Sequence, residues 1–217
     1  VECEKSGSDF LLSVYLPEVQ EYVTGSFGND ALPMVAISED NDLTFRNICG
    51  GIKFRFKGTH EIASVTVEGM NSECLSGPAK VTAYTDGTAP SIIMEPDAST
   101  KVTLKCPEGV RLSGDHNTDF IIVLPPVVFA DGFVVTVRDV KGRICVVESD
   151  EENIISRSSL LVMPEITLND FSESDEGYGE VIYESMPSDV GHGINYNPDG
   201  SVTFVLYDLD INRERHD

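Results

Sequence analysis

From Ile52 to Lys57 the chain alternates without a break: Ile52, Phe54 and Phe56 are apolar, while Lys53, Arg55 and Lys57 are basic. A side-chain period of two belongs to a β-strand with one face in a core and the other toward water. Apolar or alternating runs recur at 61–68, 101–105, 119–125 and 132–138, with Gly, Pro, Asp and Asn clustered between them. Those residues are the ones that make turns. Short strands at fairly even spacing, without an amphipathic helical stretch, predict an all-β fold. The form expected is an antiparallel β-sandwich, Greek-key or transthyretin-like, with few or no helices. Further short strands are expected at 10–16, 31–37, 43–45, 80–84, 91–94, 143–148 and 201–207, and the stretch after Pro17 reads as a polar connection. Gly50-Gly51 predicts a bulge or a close backbone approach. Gly58-Thr59-His60 and Lys141-Gly142 read as hairpin turns.

A chain of 217 residues suffices for one large β domain, or for one domain and part of a second. Near Pro164 the composition changes. Asp170, Glu173, Asp175, Glu176, Glu180 and Glu184 surround a single apolar cluster, Val181-Ile182-Tyr183, the composition of an acidic linker. The expected division is therefore a sandwich domain over 1–165, a linker or loop over 166–190 and a C-terminal strand segment over 191–217. That last strand could add to the main sheet, be donated to a neighbour, or open a truncated second β domain.

Fifteen Lys and Arg against 37 Asp and Glu give a formal charge of −22. Such a chain repels polyanions, which excludes nucleic acid as a partner and disfavours acidic membrane surfaces. No run of about 18 apolar residues exists to cross a bilayer as a helix. The opening Val1-Glu2-Cys3 lacks an initiator Met, as expected of a chain from which a targeting segment has been removed. Cys3, Cys49, Cys74, Cys106 and Cys145 stand singly, a pattern of neither a zinc site nor a dense disulfide framework. Cys106 shares a strand face with Val102 and Leu104 and reads as a small buried hydrophobe.

Catalytic chemistry finds little purchase. His60, His116, His192 and His216 have no partners at metal or catalytic spacing. No serine sits in a nucleophile elbow. The acidic clusters at 39–42, 150–152 and 208–210 lack the ligand order of a calcium loop and read as solvated turns. Expected cofactors, metals and catalytic residues are therefore none. A glycan site would have to rest on tyrosines, since the chain has no Trp. The row Lys53, Arg55, Lys57 admits two readings: cross-strand pairing with carboxylates, or a docking face for an acidic partner.

Several segments, taken in order, carry a resemblance: Leu16 to Gln20, Gly25 to Gly28, Leu32 to Ala36, Leu43 to Gly51, Val102 to Cys106, Gly109 to Leu112, Phe120 to Pro126 and Gly132 to Val137, with Arg157 to Pro164 following. Together they resemble the fimbrillin-like surface proteins of Bacteroides-type bacteria over residues 14 to 165. The resemblance implies a secreted, often lipid-anchored lipoprotein of the cell surface or outer membrane, serving as a fimbrial subunit or adhesin. It transfers no catalytic residue. It also implies assembly by strand exchange, for which Val202, Phe204 and Leu206 mark the expected donor. Partners would be protein subunits or host or bacterial surface ligands, with membrane contact only through a lipid anchor. The reading that results is a non-enzymatic, extracytoplasmic protein of cell adhesion or fimbrium assembly. Its alternative is a carbohydrate-binding accessory protein of a surface glycan-utilisation system.

Overall fold

The computed structural model describes residues 3–7, 9–38 and 42–173, together with the backbone of 193–196 and 202–205. In chain order the strands open with β1 (Cys3–Ser6), β2 (Asp9–Leu16), β3 (Val19–Val23), β4 (Ser26–Phe27), β5 (Met34–Val35) and β6 (Arg46–Asn47). Next come β7 (Gly50–Gly58), β8 (Glu61–Gly69), β9 (Gly77–Ala83), β10 (Ser91–Met94), β11 (Lys101–Arg111) and β12 (Thr118–Leu124). The series continues with β13 (Val127–Phe129), β14 (Phe133–Asp139), β15 (Ile144–Ser149), β16 (Asn153–Ile155) and β17 (Leu160–Leu168), then β18 (Gly193–Tyr196) and β19 (Val202–Val205). No helix occurs among the described residues. The fold is an all-β sandwich.

Two sheets enclose the main core: a six-stranded one ordered β15-β14-β8-β11-β3-β4 and a three-stranded one ordered β12-β7-β17. The alternation read at 52–57 sets the inner face of the second, where Ile52, Phe54 and Phe56 are buried beside Phe120, Ile122 and Leu124. Opposite lie Val65 and Val67 of β8, Val102 and Leu104 of β11, and Val135 and Val137 of β14. The Phe54 and Phe56 rings stack at 5.6 Å, and Phe56 meets Phe120 at 5.4 Å. Each such side chain contributes about 1.5–3 kcal/mol by leaving water.

A third sheet, β1-β2-β9-β10, closes a second core around Leu16, Ala31, Ile48, Cys49, Val81 and Val123. Val123 belongs to β12, whose neighbours Ile122 and Leu124 point into the first core. A strand covered on both faces reads as an unbroken apolar run, which is what residues 120–124 are.

Several expectations need correction. Two pairings are parallel, β3 with β11 and β7 with β17, so the sandwich is mixed rather than purely antiparallel. Gly58-Thr59-His60 makes no hairpin. It is a corner between layers, because β7 pairs with β12 and β17 while β8 pairs with β11 and β14. At Gly50-Gly51 the expected close backbone approach holds and the bulge does not: the strand is continuous, and a Cβ on Gly50 would meet the Ser156 carbonyl oxygen. Residues 43–45 form no strand, and Leu43 and Phe45 are exposed. The stretch after Pro17 holds β3 instead of a plain connection.

Contact within the chain separates residues Val1–Asp175 from Glu176–Asp217. Strand β17 runs to Leu168, which is buried, and Ser172 bridges Ile144. The first unit therefore continues past the expected boundary at 165. In the second unit β18 and β19 pair as an antiparallel hairpin, Gly193 opposite Val205 and Tyr196 opposite Val202. Leu206 and the acidic stretch 174–192 lie outside the described residues.

Candidate functional site

A two-layer sandwich has two seams where edge strands of the layers run side by side, and these two are treated differently. At one seam β3 inverts the usual pattern: Val19, Glu21 and Val23 are exposed, while Gln20 is buried and Tyr22 packs on Phe120 at 5.2 Å. The Gln20 amide nitrogen donates to the Val123 carbonyl at 2.8 Å, and its oxygen accepts from the Val123 amide at 2.9 Å. One side chain thus supplies both bonds that a neighbouring strand would give β12 at this residue. The seam is sealed.

At the other seam the edges are β15 and β17. Ile144 exchanges both backbone bonds with Ser172, each at 2.9 Å. Antiparallel geometry then turns the N–H and C=O of Val146 and Glu148 to the same outer side. Among the described residues no strand pairs with that edge. Beside it lies a groove of about 280 Å³, floored by Phe54 and Phe133 and walled by Val147 of β15 and by Met163 and Ile166 of β17. Glu148, Asp150 and Glu151 form its acidic rim. The facing edge of β17 is a poor template. Pro164 has no N–H to offer, and the register slips between Val162 and Glu165. An extended segment added at this seam would bond to β15 and lay alternate side chains into the groove.

The basic row is accounted for within the sheet. Lys53 bonds Asp119 at 2.9 Å and Lys57 bonds Glu165 at 2.9 Å, and Arg55 stands in register with both carboxylates. The Lys57 and Asn117 hydrogen bonds hold the Glu165 carboxyl below its ordinary value, assisted by the charges of Lys57 and Arg55. Strand pairing thus brings Lys53, Arg55 and Lys57 together with acids on both sides. The expected donor is placed only in part: Val202 and Phe204 lie on β19, and Leu206 is beyond the described residues.

Other candidate residues are scattered. His60 stacks on Phe171 with ring centres 4.1 Å apart, and the His116 amide donates to Ser113 at 3.2 Å. His192 and His216 lie outside the described residues. Among the described residues no three His, Cys, Asp or Glu are placed to hold a metal ion, and no helix is long and apolar enough to cross a membrane. The five cysteines are free thiols. Burial pushes Cys49 and Cys106 up to about 12. It also raises Cys145, aided by the charge of Asp170, so these thiols are poor nucleophiles. Tyr15 is exposed, Tyr22 is in packing contact with the core and Tyr84 bonds Ser91 at 3.0 Å. These described tyrosines do not gather at one place.

Sequence reasoning did not find Gln20 or the β15 edge. The only signal for Gln20 was its alternation with Tyr22 between Val19, Glu21 and Val23, which hydrophobic patterning assigns to the wrong face.

No protein-family model matches the chain, and no curated protein does. Among solved structures, the chain is similar to the crystal structure of a candidate cell adhesion protein from Bacteroides ovatus ATCC 8483. Identity is 13% and the TM-score 0.39, with 76% of this chain and 64% of that chain covered. The match spans less than two thirds of that protein.

Proposed function

We propose that this protein is a non-enzymatic, extracytoplasmic surface protein that acts in adhesion or fimbria-like assembly and joins its neighbours by strand addition. The observation that carries the reading is the β15 edge, which no described residue pairs with from Val146 to Glu148 and which is set beside an apolar groove. In β-augmentation the backbone supplies affinity and pockets for alternate side chains supply selectivity. The alternation Val202, Phe204, Leu206 has the form such a groove accepts. The likeness of the sequence segments to fimbrillin-like proteins supports the same reading, as does the scarcity of catalytic groupings. A lipid anchor and an outer-membrane site belong to this reading as well. A carbohydrate-binding role has less support, because the described tyrosines are dispersed.

Light scattering of the full chain and of a chain ending at residue 185 tests the proposal. Concentration-dependent assembly that vanishes with residues 186–217 is the expected result. Assembly unchanged by the deletion would eliminate the C-terminal donor. A monomer in both forms would eliminate self-assembly.

A further inference from the structure

At one corner of the main sandwich the β7–β8 connection, the end of β11 and the β14–β15 turn enclose a cleft of about 280 Å³. Its charged lining consists of Arg111, Lys141 and Arg143 against Glu61 and Asp139, with His60 in the wall. On a chain of net charge −22 a pocket with a cationic excess is unusual.

Its two acids do not cancel the cations equally. Asp139 is 2% exposed and fully engaged. One carboxylate oxygen takes the backbone N–H groups of Lys141 and Arg143, each at 2.9 Å, and the other takes the Arg143 guanidinium. That ion pair fixes the Arg143 side chain while leaving part of its five-donor fork unused. Glu61 holds Arg111 at only 3.6 Å, with the two side chains 38% and 74% exposed. A pair so open is weak and yields to a better acceptor. Among the described residues the Lys141 ammonium has no ion-pair partner, and the buried Nδ1 of His60 has no hydrogen-bond partner.

The geometry points to an anion-binding site here, taking a single oxyanion such as a sulfate or a carboxylate group on a ligand. Arg111 and Lys141 supply the movable charges, and Arg143, held by Asp139, is the fixed one. Guanidinium forks match oxyanions through paired hydrogen bonds, and concave walls concentrate the field of nearby charges. The protein's remaining acidity opposes binding only at short range, because at physiological salt charges beyond about 8 Å are screened. This assignment does not depend on strand-mediated assembly.

Amide-resolved NMR titration of the full chain tests it, with sodium sulfate and sodium glucuronate compared against sodium chloride at equal ionic strength. Saturable shifts at the amides of 59–61 and 141–143 are expected. Binding should be about two- to fivefold weaker in Arg111→Gln and in Lys141→Gln, the loss of one partly exposed charge contact. Lys101→Gln, at the other end of β11, should bind as wild type. A response to sulfate alone would assign a tetrahedral anion, and a response to glucuronate alone a carboxylate sugar. No saturable shift beyond that of chloride, or unchanged binding in both cleft variants, would overturn the site.

Discussion

Replacing Gln20 with Met keeps the length of a buried side chain and deletes both of its hydrogen bonds to Val123. The Val123 N–H and C=O would then lie unpaired at a dry seam, at about 2 kcal/mol each. Burial of the more apolar methionine offsets about 2 kcal/mol of that. The net loss is about 2 kcal/mol, or about 4–8 °C in Tm for a unit of this size. Guanidinium denaturation measures it as a lower midpoint at unchanged slope. Gln20→Glu adds a check on the mechanism. A protonated carboxyl can donate to the Val123 carbonyl and accept from its amide, whereas a carboxylate can only accept. Burial raises the folded-state value above the ordinary glutamate value of about 4.3. The deficit of Gln20→Glu relative to wild type should therefore be smallest at low pH and grow as pH rises through the folded value. A loss below about 0.5 kcal/mol for Gln20→Met, typical of an exposed position, would refute the idea that Gln20 stands in for a strand.

The Asp139 carboxyl is held below its ordinary value: burial pushes it up, but hydrogen bonds from the Arg143 side chain, the Arg143 and Lys141 amides, and the Arg143 charge prevail. Its stabilisation is complete above the unfolded value of about 3.9 and is lost as pH falls through the folded one. Asp139→Asn should cost about 2–3 kcal/mol at neutral pH. That gap should narrow below about pH 4, and a gap independent of pH contradicts the account. Gly132 has φ +88° and a Cβ there would meet the Ser149 carbonyl oxygen, whereas Gly142 has φ +85° and nothing within 4 Å. Calorimetry should show Gly132→Ala losing about 2–4 kcal/mol and Gly142→Ala about 1 kcal/mol; equal losses would discount the clash. A thiol reagent should label exposed Cys3 in the native protein and reach Cys49 and Cys106 only on unfolding. Rapid native labelling of Cys49 would contradict its burial.

Strands with one wet face were legible because their side chains alternate, as Ile52, Phe54 and Phe56 show. Where that condition fails, so does the reading. β3 hides a polar residue and exposes two valines, so its pattern points the wrong way. β12 is covered on both faces and shows a run in place of an alternation. Strand direction leaves no trace in periodicity, which is why the β3–β11 and β7–β17 pairings escaped notice. The paired cations could be foreseen as a possibility, since cross-strand neighbours on an acidic chain are often carboxylates. Which acids they meet depends on register with strands far along the chain. The β15 edge was illegible for a related reason: an unpaired edge is a property of the whole sheet and not of residues 144–149.

The parallel pairing of β7 with β17 also sets a timetable for biosynthesis. β7 ends at Gly58, yet its partner on one side is not complete until Leu168 has been made. During the interval the apolar face of Ile52, Phe54 and Phe56 lacks part of its cover, and pairing over so long a separation is slow. A nascent chain is then at its most aggregation-prone between the synthesis of Gly58 and that of Leu168. Slowing translation between codons 58 and 168 should therefore lower the soluble yield more than the same delay placed after codon 168.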